Sequence, residues 1–163
     1  MELRTLVAQD IPSIWQINYE GLPGTGDVTE EEIADLMLIS EISVGIFDGN
    51  KLLGFVLCLL PKTRYGSLNY AWFNQRYDRF IYVDRIAVAK DSRNSGIGTL
   101  LYQQVFDYAT QHGIPVTAEV SLKPSNEGSD RFHLHHGFVT VGELDHGDKA
   151  VTMYIKDKKP EDD

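Results

Sequence analysis

The chain has 163 residues, 42% of them hydrophobic, with 15 basic against 24 acidic side chains and a net charge of −9. That length and apolar fraction suit one domain with its own core, and exclude a disordered chain or a disulfide-stapled mini-protein. The acidic balance repels polyanions, so nucleic acid is not an expected partner. Cys58 is the single cysteine, which excludes an intramolecular disulfide and suits a reducing compartment. The longest apolar run, residues 55–60, is far short of the roughly 20 residues a membrane span needs, and no signal peptide is visible. The expectation is a cytoplasmic protein, not bound to a membrane, with one domain over residues 1–156 and a charged tail over 157–163.

Leu3 to Val7 reads as a short first strand. Asp10 is a good helix N-cap, and Pro12 falls in the first turn, where its missing N–H costs nothing. Ile11, Ile14, Trp15 and Ile17 then follow at helical spacing. Gly21, Pro23, Gly24 and Gly26 break the chain into a loop. Thr29, with Glu32 three residues on, opens a second helix through a capping box. The period then changes: residues 42–48 and 51–60 are apolar and β-rich, joined as a hairpin by Asp48-Gly49-Asn50. The second arm is apolar on both faces, as a central strand is. Residues 65–80 carry Tyr65, Tyr70, Trp72, Phe73, Tyr77 and Phe80. They predict a short helix covering the sheet edge, or a wall of a substrate pocket or a dimer contact.

Ile81 to Ala89 is a strong strand, followed by a polar, glycine-containing loop. A long helix runs to about His112, with Ile97, Leu100, Leu101, Val105 and Tyr108 on its apolar face and Gly113 as its stop. Residues 115–122 form a strand, residues 126–136 a short helix, and residues 138–144 and 150–155 a last hairpin. The order predicts an α/β fold: a mixed, mostly antiparallel central sheet of six to seven strands flanked by about four helices.

The strand–loop–helix unit at residues 81–113 carries the clearest chemistry. Arg93, Gly96 and Gly98 stand where the loop becomes the helix. Glycine lets backbone approach a ligand closely, and the first helix N–H groups lack partners. With the helix dipole and the Arg93 fork, they suit a phosphate. Two glycines alone also make ordinary turns. A Walker-type loop is absent, because no Gly-Lys-Ser/Thr follows. A dinucleotide fingerprint would need a third glycine where Leu101 stands, although Glu119 falls near its ribose acid. That unit should also open the sheet, and here strands precede it.

Arg93-Asn94-Ser95-Gly96-Ile97-Gly98 resembles the Arg/Gln-x-x-Gly-x-Gly/Ala acetyl-CoA loop of the GNAT N-acetyltransferase superfamily. The strand end Ile86-Ala87-Val88 resembles the strand that precedes it in that family. Downstream, Asn126 lies seven residues before His133, and residues 132–138 resemble the family's Phe-Tyr-x-x-x-Gly-Phe segment. Residues 82–88 and the aromatic stretch before them look like a group of uncharacterised predicted acetyltransferases. The resemblance implies an acetyl-CoA-dependent N-acetyltransferase acting on a primary amine, small molecule or peptide, by direct transfer in a ternary complex. It implies that Ile86, Ala87 and Val88 take the pantetheine as an added strand, and that Asn126 contacts its arm. It implies that Arg93, Asn94, Ser95 and the amides of Gly96, Ile97, Gly98 and Thr99 hold the pyrophosphate. It places His133 where many members carry a proton-donating tyrosine.

Two alternatives stand beside it: a non-catalytic acyl-CoA-binding module of the same fold, and a nucleotide-dependent oxidoreductase. A homodimer is compatible with both acyl-CoA readings. His133 is open to two roles, proton donor or packing under the last hairpin. Asp84, two residues before Ile86 and so expected on the same strand face, either handles the amine or pairs near Arg85. Glu119 on the neighbouring strand has the same two roles open. Glu20 and Asp27, in and beside the glycine-rich loop, either draw a cationic acceptor or are solvated. His133, His135 and His136 lack a carboxylate at ligand spacing, so no metal is expected. Cys58, in an apolar strand, is expected to be inert core.

Overall fold

A computed structural model describes residues 1–157, so the charged tail lies, beyond its first residue, outside the described residues. In chain order the elements are β1 (Glu2–Thr5), α1 (Ile11–Glu20), α2 (Glu30–Ile39), β2 (Ile42–Asp48), β3 (Lys51–Leu59), α3 (Leu68–Arg76), β4 (Ile81–Val88), α4 (Ile97–His112), β5 (Val116–Lys123), α5 (Glu127–His135), β6 (Val139–Asp145) and β7 (Ala150–Lys156). The seven strands make one sheet in the order β1-β2-β3-β4-β5-β7-β6. Only the β4–β5 pair is parallel, and α4 is its crossover. The helix count among the described residues is five rather than about four.

Two apolar clusters sandwich the sheet. On one face α4 contributes Ile97, Leu101, Tyr102, Val105 and Ala109, against alternate residues of β3, β4 and β5. On the other, Ile14 and Ile17 of α1, Ile33 and Leu36 of α2, and Tyr70 and Phe73 of α3 cover Phe55, Leu57 and Tyr82. The α4 stripe therefore includes Tyr102, while Leu100 points outward. The Thr29 capping box forms: Glu32 N–H donates to Thr29 Oγ1 at 3.1 Å and Thr29 N–H to Glu32 Oε1 at 3.0 Å. Asp10 instead caps the short 3-10 turn before α1, accepting from Val7 N–H at 2.8 Å. Helix α3 lies on the face of the sheet rather than along its edge, because its buried aromatics need the flat apolar surface of β3 and β4.

β4 and β5 pair at only two positions, Ile81 with Val116 and Tyr82 with Thr117. Beyond them the strands part. The cause lies on β4, where Leu57 pairs with Arg85 and Cys58 with Val83, leaving Asp84 as an extra residue. Such a bulge bends its strand and sharpens its twist. β5 stays paired on its other side with β7 from Val116 through Lys123. A cleft opens between the two strands, with residues 83–88 on one wall and 118–121 on the other.

The seat of α4 depends on Gly54 of β3. A Cβ at Gly54 would lie 2.9 Å from Ile97 Cγ2, 3.0 Å from Ala87 O and 3.3 Å from Leu101 Cδ1. The first turn of α4 therefore rests on bare backbone. Glycine within a strand costs about 0.5–1 kcal/mol relative to alanine, so Gly54→Ala would ordinarily stabilise. Here the clash decides the sign, since one contact is with backbone and overpacking costs about 1–3 kcal/mol. Gly54→Ala lowers the urea midpoint at unchanged m-value and weakens ligand binding at the α4 N-terminus; a raised midpoint would contradict this seating.

Candidate active site

The cleft has a volume of about 500 Å³ and runs from Arg93, in the loop before α4, past the loop at residues 21–26, to α3 and the β6–β7 loop. Beyond its first end Gly96 is the N-cap of α4, with φ +84, a left-handed conformation that glycine adopts without strain. Nothing lies within 4 Å of where its Cβ would stand, so the approach is open. The first intrahelical bond there is Leu100 N–H to Gly96 O at 3.0 Å. The amides of Ile97, Gly98 and Thr99 come before it and lack intrahelical acceptors. Ile97 offers only its amide, because its side chain is buried core. Ser95 Oγ–H bonds Ser92 O and, with Asn94 at φ +62, shapes the turn.

Arg93 reaches across this end. Its Nη2 donates to Glu20 O at 3.0 Å and its Nε to Val88 O at 3.4 Å. Glu20 Oε1 accepts from Lys90 N–H at 3.1 Å. The end of α1 is thus tied to the anion loop, and Glu20 belongs to that end. Asp27 lies with Trp15 and Glu30–Glu32 in a separate surface pocket, outside the cleft. Asn126 caps α5, accepting from Ser129 N–H at 3.2 Å, and also lines the cleft.

The bulge changes which groups meet at the middle of the cleft. Ile86 packs toward the α4 cluster, and Asp84 and Ile86 both line the cleft. Asp84 Oδ2 accepts from Arg85 Nε at 2.9 Å, although the two are sequence neighbours; strict alternation fails at the extra residue. Arg85 Nη1 donates to Asn18 Oδ1 at 3.0 Å and Gly26 O at 3.1 Å. Asn18 Nδ2 donates to the same Gly26 O at 2.8 Å. This nearly buried ion pair thereby fastens the α1–α2 loop against β4.

Toward the far end stands Glu119. Its Oε1 accepts from Tyr82 Oη at 2.6 Å and from Asn69 Nδ2 at 3.1 Å, and Asn69 Oδ1 accepts from His146 Nε2 at 2.9 Å. Its Oε2 is shut off from solvent and has no hydrogen-bond partner. Burial pushes the carboxyl up to about 7; the Tyr82 and Asn69 bonds hold it down, while the Asp84 charge adds to the rise. A sheltered carboxylate with one free oxygen, titrating near neutrality, is suited to take a proton.

His133 sits on the other wall, 5% exposed. Its Nε2 is 2.6 Å from Tyr102 Oη and its Nδ1 is 2.8 Å from Ser129 O. Burial lowers its pKa, against the Ser129 hydrogen bond and the Asp130 charge, which raise it. His133 and Tyr102 both line the cleft. His135 and His136 do not join it, and among the described residues no three metal-ligating side chains come together. Cys58 is buried, and desolvation pushes its thiol well up.

The structure thus gathers Asp84, Glu119, Asn126, His133, Ile86, Ala87, Val88 and Arg93 around one cleft, while residues 94–99 lie beyond its lining. Sequence reasoning missed Asn18, Asn69, Tyr82, Tyr102 and His146, whereas Tyr65 lines the cleft in keeping with the pocket-wall reading of residues 65–80. Tyr102 had a signal, since it lies four residues after Gly98 and one after a core leucine of α4. The others come from α1, α3, β4 and the last hairpin, and nothing local marks them.

A family model described as the acetyltransferase (GNAT) family matches residues 11–138. No curated protein matches. Similar solved structures include Ard1 from Thermoplasma volcanium, 20% identical, TM-score 0.75, covering 96% of this chain and 98% of that one. Another is Arabidopsis thaliana NAA60 in complex with a bisubstrate analogue, 17% identical, TM-score 0.75, covering 94% and 95%. A third is the Escherichia coli ribosomal-protein-S18-alanine N-acetyltransferase, 15% identical, TM-score 0.72, covering 95% and 92%. At these identities the likenesses show a shared fold, and the family match spans most of the chain including the glycine loop, the splayed strands and α5. The chain belongs to the GNAT acetyltransferase family.

Proposed function

We propose that this protein is an acetyl-CoA-dependent N-acetyltransferase that passes the acetyl group directly to a primary amine. The single observation that carries this reading is the cleft between β4 and β5, lined by the strand edge at residues 86–88 and by Arg93 of the loop that leads into α4, with Glu119 farther along. A long ligand, anionic at one end and reactive at the other, fits that arrangement. Among similar structures, one is named as an alanine N-acetyltransferase and one holds a bisubstrate analogue, which supports an amine acceptor and a ternary complex.

The Ile97, Gly98 and Thr99 amides and Arg93 hold the pyrophosphate, with Asn94, Ser95 and Gly96 shaping the loop. Arg93 binds by leaving Glu20 O and Val88 O. The backbone of Ile86, Ala87 and Val88 is the strand edge for the pantetheine, beside Asn126. Acetyl-CoA supplies the thioester. Glu119 takes the proton of the attacking amine, while Tyr82 and Asn69 fix its orientation. Asp84, held by Arg85, sets the negative charge beside the amine. His133 supplies the proton for the departing sulfur. No activated nucleophile lines the cleft, so positioning and proton transfer carry the rate. The alternative, a module that only binds acyl-CoA, leaves the unpartnered Glu119 oxygen without a use.

A carboxylate at residue 96 would both fill the approach and repel phosphate. Aspartate tolerates the left-handed conformation better than most side chains, so the fold survives the exchange. Gly96→Asp abolishes CoA binding by calorimetry while circular dichroism stays native; an unchanged affinity would refute the anion loop.

Glu119 must be deprotonated to act, so kcat/KM has a limb that rises with pH around 7. Glu119→Gln lowers turnover by about 10²- to 10⁴-fold and removes that limb. The same carboxyl binds its proton more tightly in the folded protein than in the unfolded chain, where its pKa is about 4.3. Its contribution to stability is therefore present below about 4.3 and declines as pH rises to about 7. Urea midpoints across this window should flatten in Glu119→Gln. A variant with wild-type turnover and pH profile would remove Glu119 from the reaction.

A further inference from the structure

We infer that the proton for the departing sulfur passes through the hydroxyl of Tyr102, which touches the sulfur, while His133 is the source behind it. This rests on the transfer reading above and adds a residue from α4 to it. The geometry of the imidazole is decisive. A carbonyl oxygen only accepts, so the 2.8 Å contact with Ser129 O puts a hydrogen on His133 Nδ1. In the neutral ring Nε2 then accepts from Tyr102 Oη at 2.6 Å. Neither ring nitrogen is free to reach into the cleft. Tyr102 Oη is the polar atom of the pair with a lone pair left, and its ring edge meets the imidazole at 89°. Its residue, too, lines the cleft.

Acidity assigns the roles. A thiol of the cysteine type has a pKa of about 8.5, a free tyrosine about 10 and a free histidine about 6.5. Tyr102 alone is thus too weak an acid for the thiolate, and burial weakens it further. An imidazolium is a stronger acid than the thiol, and burial strengthens it. The groups facing His133 are mixed. Asp130 favours the imidazolium, and is itself held by Tyr154 Oη at 2.7 Å; His136 opposes it; Tyr154 stacks on the ring at 5.6 Å. Tyr102 is faced by Cys58 and Glu119, whose charges both raise its pKa.

The step balances. The amine nitrogen forms the C–N bond to the acetyl carbon, the C–S bond breaks, and its electron pair leaves on sulfur. Tyr102 Oη–H passes its proton to sulfur while imidazolium Nε2–H reprotonates the oxygen. His133 ends neutral with its hydrogen on Nδ1, and the proton lost by the amine goes to Glu119. Solvent restores both groups between turnovers.

The test separates conduit from source. Turnover is measured with acetyl-CoA and an amine panel, acetyl-CoA affinity by calorimetry, and the pKa of bound CoA from its ultraviolet thiolate absorbance. Tyr102→Phe should cut turnover about a hundredfold with affinity within about twofold, and should raise the pKa of bound CoA, because the donor to sulfur is gone. His133→Phe should cut turnover similarly yet keep the wild-type pKa of bound CoA, because Tyr102 remains. The double variant, which leaves no unpaired partner, should lose no more than Tyr102→Phe alone. Wild-type turnover and CoA titration in Tyr102→Phe would overturn the relay, as would additive losses in the double variant. Absence of CoA binding by the wild-type protein would overturn the transfer reading and the relay together. The predicted thiolate shifts without acetylation of any amine would overturn the transfer reading and leave the Tyr102–sulfur contact standing.

Discussion

One extra residue in β4 governs the whole molecule. In a regular sheet β4 and β5 would pair along their length, and their facing edges would be consumed by each other. With Asp84 bulged out, the parallel ladder stops after Tyr82 and Thr117. The strand edge beyond it is free, the space beside it is a cleft, and Asp84, Ile86, Arg93, Glu119, Asn126 and His133 all line that space. The same bulge brings Asp84 and Arg85 together as a pair, although alternation would have separated them. Arg85 in turn binds Asn18 and Gly26, so the distortion that opens the cleft also anchors the loop beside it.

The two ends of the cleft have opposite character for independent reasons. At one, α4 begins on a glycine with no capping side chain, so its amides and dipole face open space. That end stays in place because Gly54 lets the first turn of α4 sit directly on β3. Farther along, carboxylates dominate in a chain of net charge −9. The same acidic protein thus presents opposite electrostatic character at two places, one set by local backbone and one by side chains.

Burial acts on the two titratable groups of the cleft in opposite senses. It raises Glu119, an acid whose charged form is disfavoured, and lowers His133, a base whose charged form is disfavoured. Glu119 is thereby brought to about 7, where a proton is exchanged at least cost, while His133 is moved to the acid side of its ordinary value. Their partners differ in kind. Glu119 is held at one oxygen only, whereas His133 is held at both nitrogens, by Ser129 and Tyr102.

The elements and the glycine loop before α4 are legible in the sequence, because both are local. The capping box of Thr29 and Glu32, the Asp48–Asn50 turn and the Gly113 stop each depend on residues within one turn of one another. The phosphate-type loop from Arg93 to Thr99 is legible for the same reason: its amides and its arginine are neighbours in the chain. Asn126 and His133 were legible through their spacing. The tertiary structure alone decided which side chains face the reaction. The bulge at Asp84 arises from a register shift against β3, which no local pattern in β4 announces. Glu119 acquires its raised pKa from burial and from the Asp84 charge on the neighbouring strand, against the hydrogen bonds of Tyr82 and of Asn69 on α3, which lower it. Tyr102 reads in sequence as one more apolar residue of α4, and becomes polar chemistry only where α5 lays His133 against it, 31 residues away in the chain. Contacts of that sequence separation follow from packing the whole sheet, not from any segment of it.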